Sequence, residues 1–275
     1  MTKKDIYPFL HTLIVYTYND KERLGYLCEV SSDYFRCSHE VMNGSNFTFV
    51  YKTLDYVYKY ELLSEIRFAT PDEINVFGEK MINTLKTEYN VAQAKLDYLN
   101  RKRDFFNKAK ELYESCEFFN PSLVYPIMNT TCKYLNISMQ PNNISESAQL
   151  MINTLVVINL TNKKSTFAYL EHVNSTNIEV SYVYDNQTKK FIYNDWLLII
   201  DEIESIRPAY PSEIDEFVYA LETNVYDKLE EKKPILEKAN NIKEFTTKVS
   251  ELCKEYSIDE KISTSIEATI DNFYF

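Results

Sequence analysis

The amino-acid sequence predicts an α+β fold: a tandem duplication of a small antiparallel β-module, in which each copy is followed by long helices. The main observation is a gapless match, at an offset of 140 residues, between segments 65–77 and 205–217. Upstream of each segment lie short runs rich in Val, Ile, Tyr, Phe and Thr, which are typical of strands. Downstream lie apolar residues at helical spacing. Self-similarity at one fixed offset indicates a duplication. The identical positions are Ile66/Ile206, Arg67/Arg207, Ala69/Ala209, Pro71/Pro211, Glu73/Glu213, Ile74/Ile214 and Phe77/Phe217.

Composition excludes several classes of protein. Of the 275 residues, 45% are hydrophobic and 26% are charged, as in globular proteins. Glycine occurs only at positions 25, 44 and 78. A Walker loop, a dinucleotide fingerprint and a nucleophile elbow all need closely spaced glycines, so all three are excluded. The three histidines lack the spacing of helical zinc motifs. We therefore expect no cofactor and no compact metal site.

The β-module occupies residues 1–80 in the first copy and 153–220 in the second. Apolar and β-branched runs predict strands at 11–18, 23–31, 47–52 and 56–63, and again at 154–160, 165–173, 178–184 and 190–200. Polar segments between these runs are typical of hairpin turns. Four or five short antiparallel strands are too few for a sandwich and favour an SH3-like barrel.

The repeated motif predicts the turn from the last strand into a helix. Thr70-Pro-Asp-Glu73 has the pattern of a capping box with proline at the first helical position. The second copy has Tyr210 at the cap position, so Ser212 is expected to cap a later helix start. Arg67 and Arg207 are expected to pair with a nearby acid. The predicted structural anchors are Arg67, Pro71, Glu73, Ile74 and Phe77, with Arg207, Pro211, Glu213, Ile214 and Phe217.

The helical segments follow each module. Apolar residues continue from Ile74 to Cys116 at steps of three, four and seven, so residues 81–120 form either one long helix or, with a break near Tyr89, a helical hairpin. Segment 121–152 is a connector with one short helix. Residues 221–275 are helical, and Pro234 divides the region after the second motif into helices at 212–232, 234–256 and 259–272. No segment approaches the roughly 20 apolar residues of a membrane span.

The charge and the cysteines bear on partners and location. The net charge of −11 disfavours direct binding of nucleic acid, and the basic cluster around Arg101 is interpreted as a solvated helix face. Five cysteines without a C-x-x-C pair, and an N-terminus without a signal-peptide pattern, indicate a reducing intracellular compartment rather than secretion. Cys28, Cys37 and His39 could form part of a zinc site but lack a fourth ligand, so small core residues are the default interpretation.

Two groups of apolar residues are candidates for an interaction surface. Tyr56, Tyr58 and Tyr60 alternate onto one face of a predicted strand. In the long apolar stripe, Leu96, Leu99 and Phe106 would project beyond a β-module if the helix were continuous, and would then need a neighbour. A helical hairpin would remove that need. Both groups are therefore interpreted either as core or as a surface for a protein partner or for self-association.

The R-x-A-x-P-x-E-I turn, present as Arg67-Phe-Ala-Thr-Pro-Asp-Glu-Ile74 and again from Arg207 to Ile214, resembles a turn in small proteins of Bacteroidales and their tailed phages, including crAss-like phages. The resemblance covers only these two stretches. It implies a phage-encoded protein, located in the host cytoplasm or in a virion, and carries no activity for any residue.

The expected function is non-enzymatic. Acidic clusters such as Asp201-Glu202 are usually solvated in a chain with 41 acids, and the cysteines and histidines have no nucleophile signature. We therefore expect a structural or assembly protein that acts through protein–protein contacts, such as a virion component. The alternative is a soluble acidic binding or inhibitory protein directed at a host protein, and an enzyme with dispersed polar residues is a third possibility.

Overall fold

A computed structural model of the chain describes residues 1–42, 47–49, 58–115, 121–139, 144–185, 190–192 and 196–256, together with 261, 264–266 and 269. The fold is mixed α+β, with two antiparallel sheets and long helices. The chain divides into two compact units. The first contains residues 1–77 and 222–275, and the second contains residues 78–221. Each unit holds one sheet.

The first sheet follows a short helix, α1 (Lys3–Ile6), and has the strand order β4-β3-β2-β1-β6, with β5 paired to β3. A 3-10 turn at Tyr60–Leu62 connects β5 to β6. Ser64 forms a bulge in β6, because Glu65 pairs with Thr17 whereas Leu63 pairs with Tyr18. The strands are β1 (Leu13–Tyr18), β2 (Lys21–Val30), β3 (Tyr34–Met42), β4 (Phe47–Phe49), β5 (Tyr58–Lys59) and β6 (Leu63–Phe68).

The second sheet has the corresponding order, β10-β9-β8-β7-β12, with β11 paired to β9. A 3-10 turn at Ile200–Glu202 precedes its last strand. Glu204 forms the bulge here, because Ser205 pairs with Asn159 and Ile203 pairs with Leu160. The strands are β7 (Thr154–Leu160), β8 (Ser165–Val173), β9 (Asn177–Asp185), β10 (Lys190–Ile192), β11 (Trp196–Ile199) and β12 (Ile203–Pro208).

The strands differ from the sequence prediction in three ways. Strand β3 was missed, because charged residues such as Arg36 and Glu40 interrupt its apolar pattern. The last strand before each helix, β6 or β12, was also missed, because polar side chains alternate along it. The predicted strand 190–200 is divided into β10 and β11. Among the described strands, β4 and β6 stand at opposite ends of the first sheet and neither sheet closes into a barrel.

The two long helices are continuous. Helix α2 (Pro71–Glu114) has no break near Tyr89, and it is followed by α3 (Pro121–Leu135) and α4 (Ile144–Gln149) in the connector. Helix α5 (Pro211–Glu255) passes through Pro234, so the predicted division at this residue is wrong. Packing holds the chain on both sides of the proline, because Leu229 is buried and Leu236 packs on the first core. Of the predicted helix 259–272, residues 261, 264–266 and 269 are described, and they are helical.

Each unit has its own apolar core. In the first, aromatic side chains such as Tyr16, Phe35 and Tyr58 pack edge to face, and Leu236 of α5 packs against them. In the second, the buried face of β7, β8 and β9 packs against Ala92 and Leu96 of α2. Within the described residues, no helix is both long and apolar enough to cross a membrane.

Candidate functional site

The predicted anchor residues form the same contacts in both copies. Arg67 binds Glu73 through two hydrogen bonds of 2.8 Å, and Arg207 binds Glu213 through two of 2.7 Å. The second carboxylate oxygen of each glutamate also accepts a backbone N–H at 2.8 Å, from Thr70 or Tyr210. Both helices therefore begin at a proline, and the expected later start at Ser212 is wrong. Glu213 accepts the N–H of Tyr210, and the carbonyl of Tyr210 accepts the N–H groups of Glu213 and Ile214 at 2.9 Å, so the first turn forms without a capping side chain at Tyr210. The apolar anchors Ile74, Phe77, Ile214 and Phe217 are buried.

The arginines lower the pKa of their glutamate partners. Hydrogen bonds from Arg67 are the main cause that takes the pKa of Glu73 down to about 2, and bonds from Arg207 lower the pKa of Glu213. Both pairs are partly exposed, and each arginine also donates to the carbonyl of the following residue. The pairs fasten the last strand to the first turn of the helix. This geometry supports a structural role for Arg67 and Arg207.

Of the two interpretations of the candidate interaction residues, core or partner surface, the structure favours core, because their described members pack inside the units. Tyr58 and Tyr60 are buried in the first core, where the Tyr60 hydroxyl lies 2.6 Å from the carbonyl oxygen of Ser31, and Tyr56 lies outside the described residues. Leu99 and Phe106 are buried and Leu96 is partly buried. Helix α3 covers this part of α2 through Met128 and Cys132, which cluster with Phe106. The chain supplies its own neighbour for the stripe.

Helix α2 carries a second apolar row that faces solvent. Val91, Tyr98, Phe105 and Leu112 recur at intervals of seven residues, and each is between 52 and 67% exposed. The adjacent row, displaced by one residue and formed by Ala92, Leu99 and Phe106, is buried. We call the four exposed side chains the α2 row. Residues at this spacing lie on one face of a helix, so the α2 row is a line of four exposed apolar side chains, each about 10 Å from the next.

Basic side chains border the α2 row on both sides. From Val91 to Glu114, six lysines and arginines stand against four aspartates and glutamates, in a chain whose net charge is −11. The guanidinium carbon of Arg101 lies 5.9 Å from the centre of the Tyr98 ring, and the ammonium group of Lys102 lies 4.6 Å from it. Both distances are within the range of cation–π attraction. The row therefore combines apolar side chains with local positive charge.

A cavity of about 770 Å³ lies next to Tyr98, between α2, α3 and the start of α4. Three lysines line it: Lys95 and Lys102 from α2, and Lys133 from α3. Lys102 is held in place, because its ammonium group donates a 2.7 Å hydrogen bond to the carbonyl of Leu135. In the part of the chain that the structure describes, neither Lys95 nor Lys133 has an acidic partner. We call this space the lysine cavity.

One carboxylate, Glu146, lines the lysine cavity and is already paired. It lies 2.9 Å from Arg103 and accepts the backbone N–H of Ser138 at 3.2 Å. Burial, assisted by Glu146, raises the pKa of the Cys132 thiol, which keeps this group protonated near neutral pH. The cavity therefore offers ammonium groups and neutral hydrogen-bonding groups rather than a nucleophile.

A buried carboxyl group lies elsewhere in the second unit. The Tyr169 hydroxyl donates to Glu88 Oε1 at 3.2 Å, while Glu88 Oε2 is buried and has no hydrogen-bond partner among the described residues. Burial raises the pKa of Glu88 to about 7, which the bond from Tyr169 only partly opposes. A raised pKa is a feature of catalytic acids, but it also arises from burial alone.

The residues of the predicted partial zinc site are Cys28, Cys37 and His39. Cys28 Sγ donates to the carbonyl of Arg36 at 3.3 Å, and Cys37 is buried in the first core. The side chain of His39 lies outside what the structure describes. No group of three or more His, Cys, Asp or Glu residues suited to a metal ion occurs among the described residues.

No protein-family model matches the chain, and no curated protein sequence shows significant similarity to it.

Proposed function

We propose that the chain is a non-enzymatic structural or assembly protein that binds another protein along the α2 row. The observation that carries this proposal is the spacing and exposure of Val91, Tyr98, Phe105 and Leu112. At 1.5 Å per residue the row extends over about 30 Å. Four large apolar side chains exposed along one face of a helix are a feature of interaction surfaces.

The spacing and charge of the row define the partner's chemistry. A seven-residue apolar period is the spacing with which two helices pack side by side. Arg101 and Lys95 border the row and have no acidic partner among the described residues, so a partner with acidic flanks would be attracted to it. A second copy docked row to row would instead oppose like charges. We therefore propose an amphipathic helix with acidic residues beside its apolar face.

We also propose that the two sheets arose by tandem duplication. The support extends beyond the matching strand order to the bulges at Ser64 and Glu204, which are 140 residues apart. The backbone N–H of Ala69 donates to Leu13 at 3.0 Å, and that of Ala209 donates to Leu155 at 2.9 Å. An SH3-like relationship of each module remains part of this proposal.

The phage resemblance suggests the biological setting. There the partner would be a neighbouring virion subunit, and the protein would be found in particles. The alternative is an acidic inhibitor of a host protein, and the observation that supports it is the net charge of −11. Mass spectrometry of purified particles against infected-cell lysate distinguishes the two settings, because a virion component is enriched in particles.

Binding along the α2 row is tested with a designed peptide. A fluorescent four-heptad helix with Leu at its a and d positions and Glu at e and g is titrated with the protein and followed by anisotropy. We expect binding, weakened about tenfold by the double substitution Phe105→Ser/Leu112→Ser, because two apolar contacts of the interface are lost. Tyr219→Ser, at an exposed tyrosine of α5, is the matched control and should change nothing.

Three outcomes contradict the proposal. A peptide with Lys in place of Glu could bind as tightly, the double variant could bind as the wild type does, or the acidic peptide could fail to bind. Light scattering of the protein alone tests whether it self-associates. Self-association that Phe105→Ser/Leu112→Ser abolishes would replace the acidic partner with a second copy of this chain. Circular dichroism of each variant confirms that it is folded.

A further inference from the structure

The lysine cavity has an excess of positive charge that the composition does not predict. The chain as a whole is acidic, yet three lysines line the cavity against one carboxylate. That carboxylate, Glu146, is neutralised by Arg103 at 2.9 Å. Within the described residues, neither Lys95 nor Lys133 has an acidic partner, so two exposed and uncompensated ammonium groups line the cavity and attract anions.

The lysines converge on the cavity from two helices. Lys95 and Lys102 are seven residues apart and so share one face of α2, whereas Lys133 belongs to α3. The bond from Lys102 to the carbonyl of Leu135 uses one of its three N–H donors and leaves two. The side-chain amides of Asn129 and Asn136 add neutral donors to the lining. These groups could together satisfy several oxygen atoms of one anionic group.

The remainder of the lining is mixed: three small or amide polar side chains, Ser138, Ser145 and Gln149, stand among apolar ones. Leu99 and Cys132 are buried, and Ile137, Met139 and Leu150 also line the cavity. The ring of Tyr98 stands beside Lys102. Apolar walls with a few convergent polar groups are the usual composition of a small-molecule site, and such sites are commonly about 300 to 1,000 Å³ in volume. The cavity volume of about 770 Å³ falls within that range.

We propose that the lysine cavity binds a small amphipathic anion, with its carboxylate or phosphate at Lys95 and Lys133 and its apolar body against Leu99 and Ile137. This proposal does not rest on the proposed protein partner, although Tyr98 belongs to both sites and Lys95 lies beside both. The lysine ammonium group is a point charge that binds carboxylate and phosphate alike. The feature common to both kinds of ligand is therefore an oxyanion attached to an apolar or aromatic body. The proposal concerns reversible binding, with no chemical reaction of the ligand.

The test uses three probes of one shape: naphthalene-2-carboxylate, 2-naphthyl phosphate and the neutral naphthalene-2-carboxamide. Binding is measured by titration calorimetry and by the NMR shift of the Met139 methyl group, with Met81 of the same unit as an internal control. We expect at least one anion to bind, with the carboxamide about tenfold weaker. The tighter anion identifies the preferred head group. Added salt should weaken anion binding, because the site is open to solvent.

The decisive variant is Lys95→Gln/Lys133→Gln, in which both residues are exposed and removable without disturbing a core. It should weaken anion binding about tenfold or more, whereas Lys164→Gln, an exposed lysine of the same unit outside the cavity, should leave it unchanged. The proposal is overturned if neither anion binds or if the carboxamide binds as tightly. It is also overturned if the double variant binds as the wild type does. Phe105→Ser/Leu112→Ser should not affect this binding, which separates the cavity from the α2 row.

Discussion

His11 and Asn153 occupy equivalent backbone positions in the two modules. Each precedes the first strand of its sheet with a positive φ of 64°, and each donates its N–H at 2.8 Å to a leucine carbonyl, of Leu27 or Leu170, on the neighbouring strand. Left-handed backbone is unfavourable for most residues other than glycine, asparagine and aspartate. Two residues of different chemistry are thus held in the same unusual conformation by the same hydrogen bond.

Asn153 allows a test of this conformation, because its side chain is exposed. Asn153→Ala should lower the free energy of unfolding by about 1 kcal/mol, since alanine pays the steric cost of positive φ. Asn153→Gly should be nearly neutral, because glycine adopts that region without strain. Urea denaturation measures both. Equal stability of the alanine and glycine variants would contradict the backbone explanation.

The ion pair of Arg67 with Glu73 should stabilise the protein above acidic pH. The lowered pKa of Glu73, about 2, means that its contribution is present above the unfolded-state value near 4.5 and is lost as the pH falls through about 2. Glu73→Gln should lower the free energy of unfolding by about 1 kcal/mol at pH 7, discounted for partial exposure. The deficit should shrink toward pH 2 in thermal unfolding.

Arg67→Gln and Arg207→Gln should have similar effects on stability, because each removes the partner of one glutamate. Neither should abolish peptide binding at the α2 row or anion binding in the lysine cavity. Glu79→Gln, at an exposed glutamate of α2, is the matched control and should show little change. Selective loss of a binding activity with unchanged unfolding would overturn the structural role of the arginines.

The sequence predicted the parts of the fold that depend on local chemistry. The turn into α2 follows from Thr70 and Glu73, because a capping box needs only residues that are near in sequence. The sequence did not predict the continuity of α5, because proline, here Pro234, breaks helices locally. The helix persists because residues such as Leu236 pack against the first core. Strand β3 was missed because a contact distant in sequence again outweighs the local pattern: its pairing with β2 defines the strand more than its own residues do.

The candidate sites were less predictable than the fold. Two heptad rows on α2 differ by one residue, and periodicity alone does not tell whether Leu99 or Tyr98 faces the core. The constant spacing of the α2 row was nevertheless a signal that could have been found. The sequence contains no comparable signal for the lysine cavity, because Lys95 and Lys133 line the same cavity only as a result of the packing of α3 on α2.

Replacement of Pro234 tests whether α5 is one helix. Pro234→Ala restores a backbone N–H in the helix interior and removes a ring that crowds the preceding turn. The free energy of unfolding should rise by roughly 1 to 3 kcal/mol, as measured by urea denaturation. Pro211→Ala is the control, because proline at the first helical position costs nothing and its replacement should not stabilise. No gain from Pro234→Ala would indicate a break at that residue.

Removal of the buried charge at Glu88 should stabilise the second unit in a pH-dependent manner. The folded-state pKa of about 7 lies above the unfolded value near 4.5, so the folded state holds the proton more tightly. Stability is therefore fully present below about pH 4.5 and is lost as the pH rises through 7. Glu88→Gln keeps an acceptor for Tyr169 and should raise the free energy of unfolding by about 2 kcal/mol at pH 8 but very little at pH 5. Urea denaturation at both pH values provides the measurement, with Glu79→Gln as control. An equal gain at pH 5 and pH 8 would mean that packing, rather than charge burial, explains the effect.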